Sequence, residues 1–368
     1  MFHGEVLLLF FIERIQMKIT IGLGRGEITN WDEVSTYVIE AENLGVDCLW
    51  TAEAWAHDVV TPLAYLAAKT EKIKLGTSIM QLGTRTPALV AMTAMALDSM
   101  SNGRFRLGLG SSGPQVIEGW HGIPFARPIA RTREVIEIVK RIFNGETLAY
   151  QGDFYELPLL TNATGEGKAL RPGASPPKNV PIYIASLGPK NLHMTGEIAD
   201  GWLGTSFMPE HADLFIDPIR EGAQSMGRNI EDLDLQAGGT IWFTEDVDEA
   251  ITALKPGLAF SIGAMGSRQH NFYNDAYRRQ GFADEARDVQ RLWLAGERDE
   301  ARSRVPDEMV SGSNLIGDKQ MIRERLRVYR DAGITSFRAN PHGNNLKERL
   351  ETLGKFMDVV TEISTEKS

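Results

Sequence analysis

The chain has 368 residues, 42% of them hydrophobic and 24% charged, with a formal net charge of -10. That length fits a single large α/β barrel or two ordinary domains, and the apolar share suffices for a substantial core. The acidic balance excludes nucleic-acid backbone binding as the main activity, and the single cysteine, Cys48, excludes an internal disulfide or a cysteine-based metal cluster.

The first sixteen residues, MFHGEVLLLFFIERIQ, contain an apolar run from Val6 to Ile12 that is too short to span a bilayer. Glu5 before the run and Glu13-Arg14 after it do not match a signal peptide. Residues 1–16 are therefore read as an N-terminal extension and residues 17–368 as one domain. A cytoplasmic location without stable membrane insertion is expected. From Met17 onward, short β-rich runs alternate with helical patterns. Strands are predicted at 18–24, 47–51, 73–80 and 104–110, and helices at 31–44, 61–70 and 87–99. Cys48 falls in the second strand, where a small apolar thiol is expected rather than a nucleophile.

The second half is less regular. A helix is predicted over 131–143, then a hairpin over 147–157 turning at Gln151-Gly152-Asp153. The Gly- and Pro-rich stretch 161–178 is too long for a simple connector and reads as a lid over a mouth or as a surface loop. Strands follow at 180–185, 201–205 and 235–243, with a helical region over 284–302. Leu315-Ile316-Gly317 precedes a helix over 319–332, a last strand over 335–339 and a closing helix. Eight strands with intervening helices argue for a (β/α)8 TIM barrel with insertions.

One motif needs separate treatment. Leu107 to Gly113 reads LGLGSSG, in which Gly108, Gly110 and Gly113 spell the GxGxxG of a dinucleotide fold. That fingerprint requires a long helix at its third glycine and an acidic strand end about 20 residues later. Here Pro114 to Glu118 allows only a turn or two before Gly119, Gly122 and Pro124, and the region about 20 residues on is helical. The dinucleotide reading therefore fails. At a barrel strand end the glycines allow a planar ring or phosphate to approach, with Ser111 and Ser112 suited to an anion, or they simply form a tight rim turn.

Several blocks together carry a resemblance. They are EAENLGVDCLWTAEAW (40–55), KIKLGTSIMQLGTRTPALVA (72–91), DSMSNGRFRLGLGSSGPQVIEGWHG (98–122), TGEGKALRP (164–172), and IYIASLGPKN with EIADGWL (182–203). The chain resembles the bacterial luciferase-like superfamily, in the branch of oxidoreductases dependent on coenzyme F420. The resemblance implies a luciferase-like barrel with the deazaflavin ring at the C-terminal ends of the strands. It also implies a non-proline cis bond at Ser78-Ile79, forming a bulge under that ring, and places Glu53 near it. The phosphate-bearing tail is expected near Gly110, Ser111 and Ser112 and near Gly188, Pro189, Lys190 and Asn191. Gly201, Trp202, Thr205 and Ser206 are expected to line the pocket.

The catalytic acid is where the resemblance departs. Sugar-phosphate dehydrogenases of the branch carry a histidine and a glutamate where this chain has Ala54 and Gly113, which argues against a glucose-phosphate substrate. Substitutes near these positions are Trp55, His57, Glu118 and His121. His57 is the preferred proton-exchanging group, with Glu53 and Trp55 beside it. His193, His211, His270 and His342 lack metal-ligand spacing, so no metal is expected, and PHGNN (341–345) reads as a polar rim loop. The expected activity is F420-dependent hydride transfer to or from a small organic substrate, by a homodimer. The alternatives are an FMN-dependent luciferase-like monooxygenase and an F420-binding protein without turnover.

Overall fold

The eight predicted strands pair edge to edge into a closed parallel barrel. They are β1 (Lys18–Gly22), β2 (Cys48–Thr51), β3 (Lys74–Thr77), β4 (Phe105–Gly110), β5 (Ile182–Ile184), β6 (Gly201–Leu203), β7 (Asp234–Phe243) and β8 (Ser336–Pro341). The β8–β1 ladder, with Lys18 opposite Ser336 and Ile21 opposite Ala339, closes the circle. These are the features of a computed structural model that describes residues 17–23, 30–161, 163–177, 179–266 and 271–365. The expected extension over residues 1–16 and the expected strand end at Gly24 lie outside the described residues.

Eight helices surround the barrel: α1 (Trp31–Asn43), α2 (Val60–Ala67), α3 (Pro87–Met100), α4 (Pro128–Phe143), α5 (Pro189–Ile198), α6 (Asp213–Ser225), α7 (Lys319–Asp331) and α8 (Leu346–Thr365). Their starts follow local chemistry. The Asn30 side chain accepts from the backbone N–H groups of Asp32 and Glu33, and Thr86 caps α3 ahead of Pro87. Alternation along the strands separates two cores. Ile19 and Ile21 pack outward against the helices, while Thr20 points inward and donates to Gln236 Oε1 at 2.9 Å. Inside the barrel Cys48, Trp50, Tyr183 and Leu203 form a small apolar plug, joined by Ile79 and Ala185. Burial in this plug, beside Asp47, pushes the Cys48 thiol well above its ordinary range, which agrees with an inert packing role.

The base of the barrel is tied by one carboxylate. Asp234 on β7 accepts from Thr335 and Ser336 at 2.7 and 2.6 Å and from the Tyr183 hydroxyl at 3.0 Å, and it faces Lys18 at 3.5 Å. Four elements thus converge on one ion. Burial raises its pKa, but Lys18 and the three hydroxyls outweigh that and hold it below the ordinary carboxylate range.

Two segments depart from the sequence expectation. The predicted helix over 284–302 is broken at Gly296, which adopts a φ of 85°, into Ala283–Leu294 and Arg298–Ser303. These two belong to a larger insertion after β7 that also contains the helices Val247–Ala264, Phe272–Arg279 and Asp307–Ser313 and has its own apolar core. The insertion leaves from the C-terminal end of β7. It reaches back over the rim, where Gln280 bonds the Ser206 carbonyl and the Met208 N–H and Arg279 donates to the Leu187 carbonyl.

Part of the stretch 161–178 lies away from the mouth: near the C-terminal end of α4 the Leu148 N–H donates to the Leu170 carbonyl and Pro176 lies near Gly145. The hairpin forms from Tyr150–Gln151 and Glu156–Leu157, with a turn longer than expected over 152–155. The buried Glu134 carboxylate of α4 anchors that turn by accepting the N–H groups of Asp153, Phe154 and Tyr155.

Close approach makes two glycines behave oppositely. A Cβ on Gly108 would lie 1.8 Å from the Thr77 carbonyl oxygen, whereas one on Gly354, in α8, meets nothing within 4 Å. Gly108→Ala is expected to lose about 3 kcal/mol of stability through overpacking. Gly354→Ala is expected to gain about 0.5–1 kcal/mol through helix propensity. Urea unfolding midpoints read both.

Candidate active site at the strand C-terminal rim

The rim is shaped by a defect between β3 and β4. Gly76 pairs with Arg106, yet Met80 pairs with Leu109, so four steps along one strand match three along the other. The additional residue makes a β-bulge, a device that re-aims side chains at barrel rims. Ser78-Ile79 lies at its centre and is joined by a cis peptide bond, as the resemblance implied. The Thr77 hydroxyl replaces the missing ladder by donating to the Gly108 carbonyl at 2.7 Å and accepting the Gly108 N–H at 2.8 Å. A Cβ on Gly110 would lie 3.0 Å from Ile79 Cγ1. The first two glycines of LGLGSSG therefore clear room for the bulge, which is why β4 carries them.

Glu53, at the end of β2, holds the bulge from the other side. Its Oε1 accepts the Gln81 N–H at 2.8 Å and its Oε2 accepts the Val59 N–H at 3.1 Å. Arg85 closes a bidentate pair, with Nη1 on Oε1 and Nη2 on Oε2 at 2.9 Å. These four donors occupy the acceptor positions of the carboxylate. Glu53 is expected from the sequence as an acidic residue near the ring, beside the preferred His57; its geometry is that of a clamp joining the β2 end, the bulge and the start of α2.

The remaining predicted residues fall into three groups. Ser78, Ile79, Gly110 and Ser111 come together at the β3–β4 rim, where Ser78 Oγ accepts from Arg338 of β8 across the lumen at 3.3 Å. Ser112 follows in a left-handed conformation with a φ of 59°. Gly188 to Asn191 start α5, with Gly188 as an N-cap lacking a side-chain bond and Lys190 exposed. Thr205 lies just beyond β6, half-buried and without a hydrogen-bond partner among the described residues. Trp55 and His57 lie on the exposed loop after β2, and His57 meets the Trp31 ring edge-on at 5.8 Å. Glu118 accepts the Phe125 N–H at 3.0 Å, and His121 is exposed on the turn beside it.

Trp202 and Gly201 are corrected. Trp202 faces outward, fully buried against Phe207 and Phe215 with its indole N–H on the Ser186 carbonyl at 2.9 Å. Gly201 sits at the base end of β6 against Tyr183. Strand alternation accounts for Trp202, since only Leu203 of this short strand points into the lumen plug.

Comparison with known proteins agrees with this arrangement. The profile described as luciferase-like monooxygenase matches residues 14–336. The chain belongs to that family. A Mycobacterium tuberculosis protein provisionally named a coenzyme F420-dependent oxidoreductase is 40% identical over 324 residues, covering 87% of this chain and 93% of that one. The 5,10-methylenetetrahydromethanopterin reductase of Archaeoglobus fulgidus is 27% identical over 328 residues, covering 88% and 94%. Among solved structures, the coenzyme F420-dependent tetrahydromethanopterin reductase of Methanopyrus kandleri matches with a TM-score of 0.75 at 24% identity, over 92% of this chain and 97% of that one. That last likeness is one of fold.

Sequence reasoning missed Thr77, Gln81, Arg85 and Arg338, all of which shape the rim. Their roles depend on contacts across strands, and only the TRTP context of Arg85 hinted at a charged residue before a helix start. Glu53→Ala would leave Arg85 and two backbone N–H groups without their shared acceptor. We expect a loss of roughly 3 kcal/mol in urea unfolding. Arg85→Lys is expected to recover only part of an equal loss in Arg85→Ala, because an ammonium lacks the planar fork.

Proposed function

We propose that the protein passes a hydride between coenzyme F420 and a small organic substrate, an alcohol–carbonyl pair or an activated alkene. The bulge at Ser78-Ile79 carries the reading. It offers an apolar shelf on the lumen plug at the end of the barrel where barrel chemistry sits, beside a β4 terminus cleared of side chains at Gly108 and Gly110. The names of the relatives support the same cofactor. The deazaflavin supplies a two-electron hydride carrier; the chain seats it, orients it and keeps water from it.

Ser78 and Ile79 underlie the ring, and Gly110 lets it approach. Ser111, Ser112 and the start of α5, from Gly188 through Pro189 to Lys190 and Asn191, suit an anionic tail, because the Lys190 N–H has no acceptor within the helix and its ammonium is exposed. Thr205 adds a hydroxyl from β6. Glu53 keeps the shelf in place, and Trp55 and His57 flank the entrance from the β2 side.

The family profile's description, a luciferase-like monooxygenase, favours a second reading, a monooxygenase, for which FMN is the alternative cofactor. Equilibrium titration of the purified protein distinguishes the two. F420 is expected to bind at least about tenfold tighter than FMN, a difference of about 1.4 kcal/mol, and a preference for FMN overturns the proposal. Lys190→Ala is expected to weaken F420 binding, more at low salt than at high salt.

We also propose that the protein works as a homodimer. α3 is apolar on both faces: Val90, Ala94 and Leu97 are buried, while Leu89, Met92 and Met100 remain exposed on one protomer. A second copy covering this stripe would remove it from water. Sedimentation is expected to show a dimer that Met92→Glu converts to monomer; a monomeric parent protein refutes this.

A further inference from the structure

PHGNN, after the last strand, found no role in the reading above, yet it places the half-buried His342 at the rim. Strand alternation sets its direction. On β8, Phe337 and Ala339 pack outward in the helix-facing core, and Arg338 reaches inward to Ser78. His342, four residues beyond Arg338, continues the inward face at the C-terminal end. On β7, Gln236 is inward and Ile241 outward, so Trp242 shares the Gln236 face, where it also packs against the apolar core of the insertion.

The two rings meet there. Trp242 and His342 stack with centroids 3.5 Å apart and planes 7° from parallel. The His342 backbone is fixed as well: its N–H donates to the Ile241 carbonyl and its carbonyl accepts from the Thr352 hydroxyl at 2.9 Å. Neither ring nitrogen has a hydrogen-bond partner among the described residues. An imidazole held by stacking, with both nitrogens open to solvent, is free to bond a ligand. Of the other candidate groups, Glu53 is saturated and Glu118 holds the Phe125 N–H, whereas His57 and His121 lie on exposed turns and His57 meets the Trp31 ring only edge-on.

We infer that His342 is the residue that exchanges a proton with the substrate oxygen, and that Trp242 positions it. The inference rests on the hydride-transfer reading. In alcohol oxidation a bound deazaflavin would supply the two-electron acceptor for the hydride released as the carbinol C–H bond breaks. The O–H bond breaks, a ring nitrogen of His342 takes that proton, and the oxygen electron pair forms the C=O bond. Carbonyl reduction is the reverse. The charged groups facing the ring are Arg349 and Glu348 of α8, while β7 presents the uncharged indole. Partial burial first, then Arg349, hold the imidazole below its ordinary pKa against the opposing Glu348, so it is neutral and proton-accepting at pH 7.

The test uses the full chain, F420 and a panel of secondary alcohols, aldehydes, ketones and enoyl compounds. His342→Gln is expected to bind F420 as the parent does, to lower kcat about 100-fold with KM changed less than about threefold, and to lose the acidic limb of the oxidation profile. That limb is expected below pH 6.5, the ordinary histidine value. Trp242→Phe is expected to keep the limb and lower kcat less. Independently of turnover, the isotope-labelled His342 ring resonance, assigned by its loss in His342→Gln, should shift when a panel carbonyl is added, with or without F420. Unchanged kcat and profile in His342→Gln, or a resonance unmoved by every panel member, overturns the inference. A parent protein that does not bind F420 overturns the hydride-transfer reading instead, and the resonance titration still reads the contact.

Discussion

The rim of this barrel depends on a single carboxylate. Glu53 gathers two backbone N–H groups and both arms of a guanidinium from the segments after β2 and β3. A bulge that has lost its ladder bonds to β4 needs such an outside anchor: the Ser78 N–H keeps the Thr51 carbonyl of β2, while the Gln81 N–H beyond it depends on Glu53. Thr77 provides the second anchor from beneath, and between them the two side chains replace the missing strand pairing. The expected acid is thereby committed to shape. The same shortage of free lone pairs leaves proton exchange to another group on the rim.

The glycine motif gains a different meaning from this geometry. Gly108 and Gly110 lie under the bulge, and their missing Cβ atoms are filled by Thr77 and Ile79. Gly113 has no comparable neighbour, since a Cβ there meets only the end of the Gln115 side chain at 3.5 Å. A fingerprint defined by spacing thus dissolves into two steric requirements and one permissive cap. The motif serves the site by letting β3 deform, before any ligand approaches β4.

Much of the barrel was legible because its signals are local. Apolar alternation, caps such as Asn30 and Thr86, and glycines closing helices such as Gly45 are all read within one element. The bulge bond at Ser78-Ile79 was reached through the family resemblance, since no local rule marks it. The insertion after β7 was barely visible, because its helices carry an interior Pro256 and a break at Gly296 and bury their faces mainly against one another. Trp202 was misplaced for a related reason. On a strand of only three residues, Gly201 to Leu203, both faces are buried, so hydrophobicity does not reveal which side chain enters the lumen.

The two ends of the barrel treat polar groups in opposite ways. At the base, Asp234, Lys18, Tyr183, Thr335 and Ser336 satisfy one another, and this mutual pairing stabilises closure without leaving groups for chemistry. At the rim, Thr205 and both nitrogens of His342 have no such partners among the described residues, although neither side chain is fully exposed. Their polar atoms stay open to water, so a ligand can bond to them without first breaking a bond within the protein. The plug of Trp50, Tyr183 and Leu203 separates the two regimes, and Ile79 packs directly on it. The shelf for a planar ring therefore stands on the apolar plug above the paired base, while the polar groups open to a ligand lie at the rim.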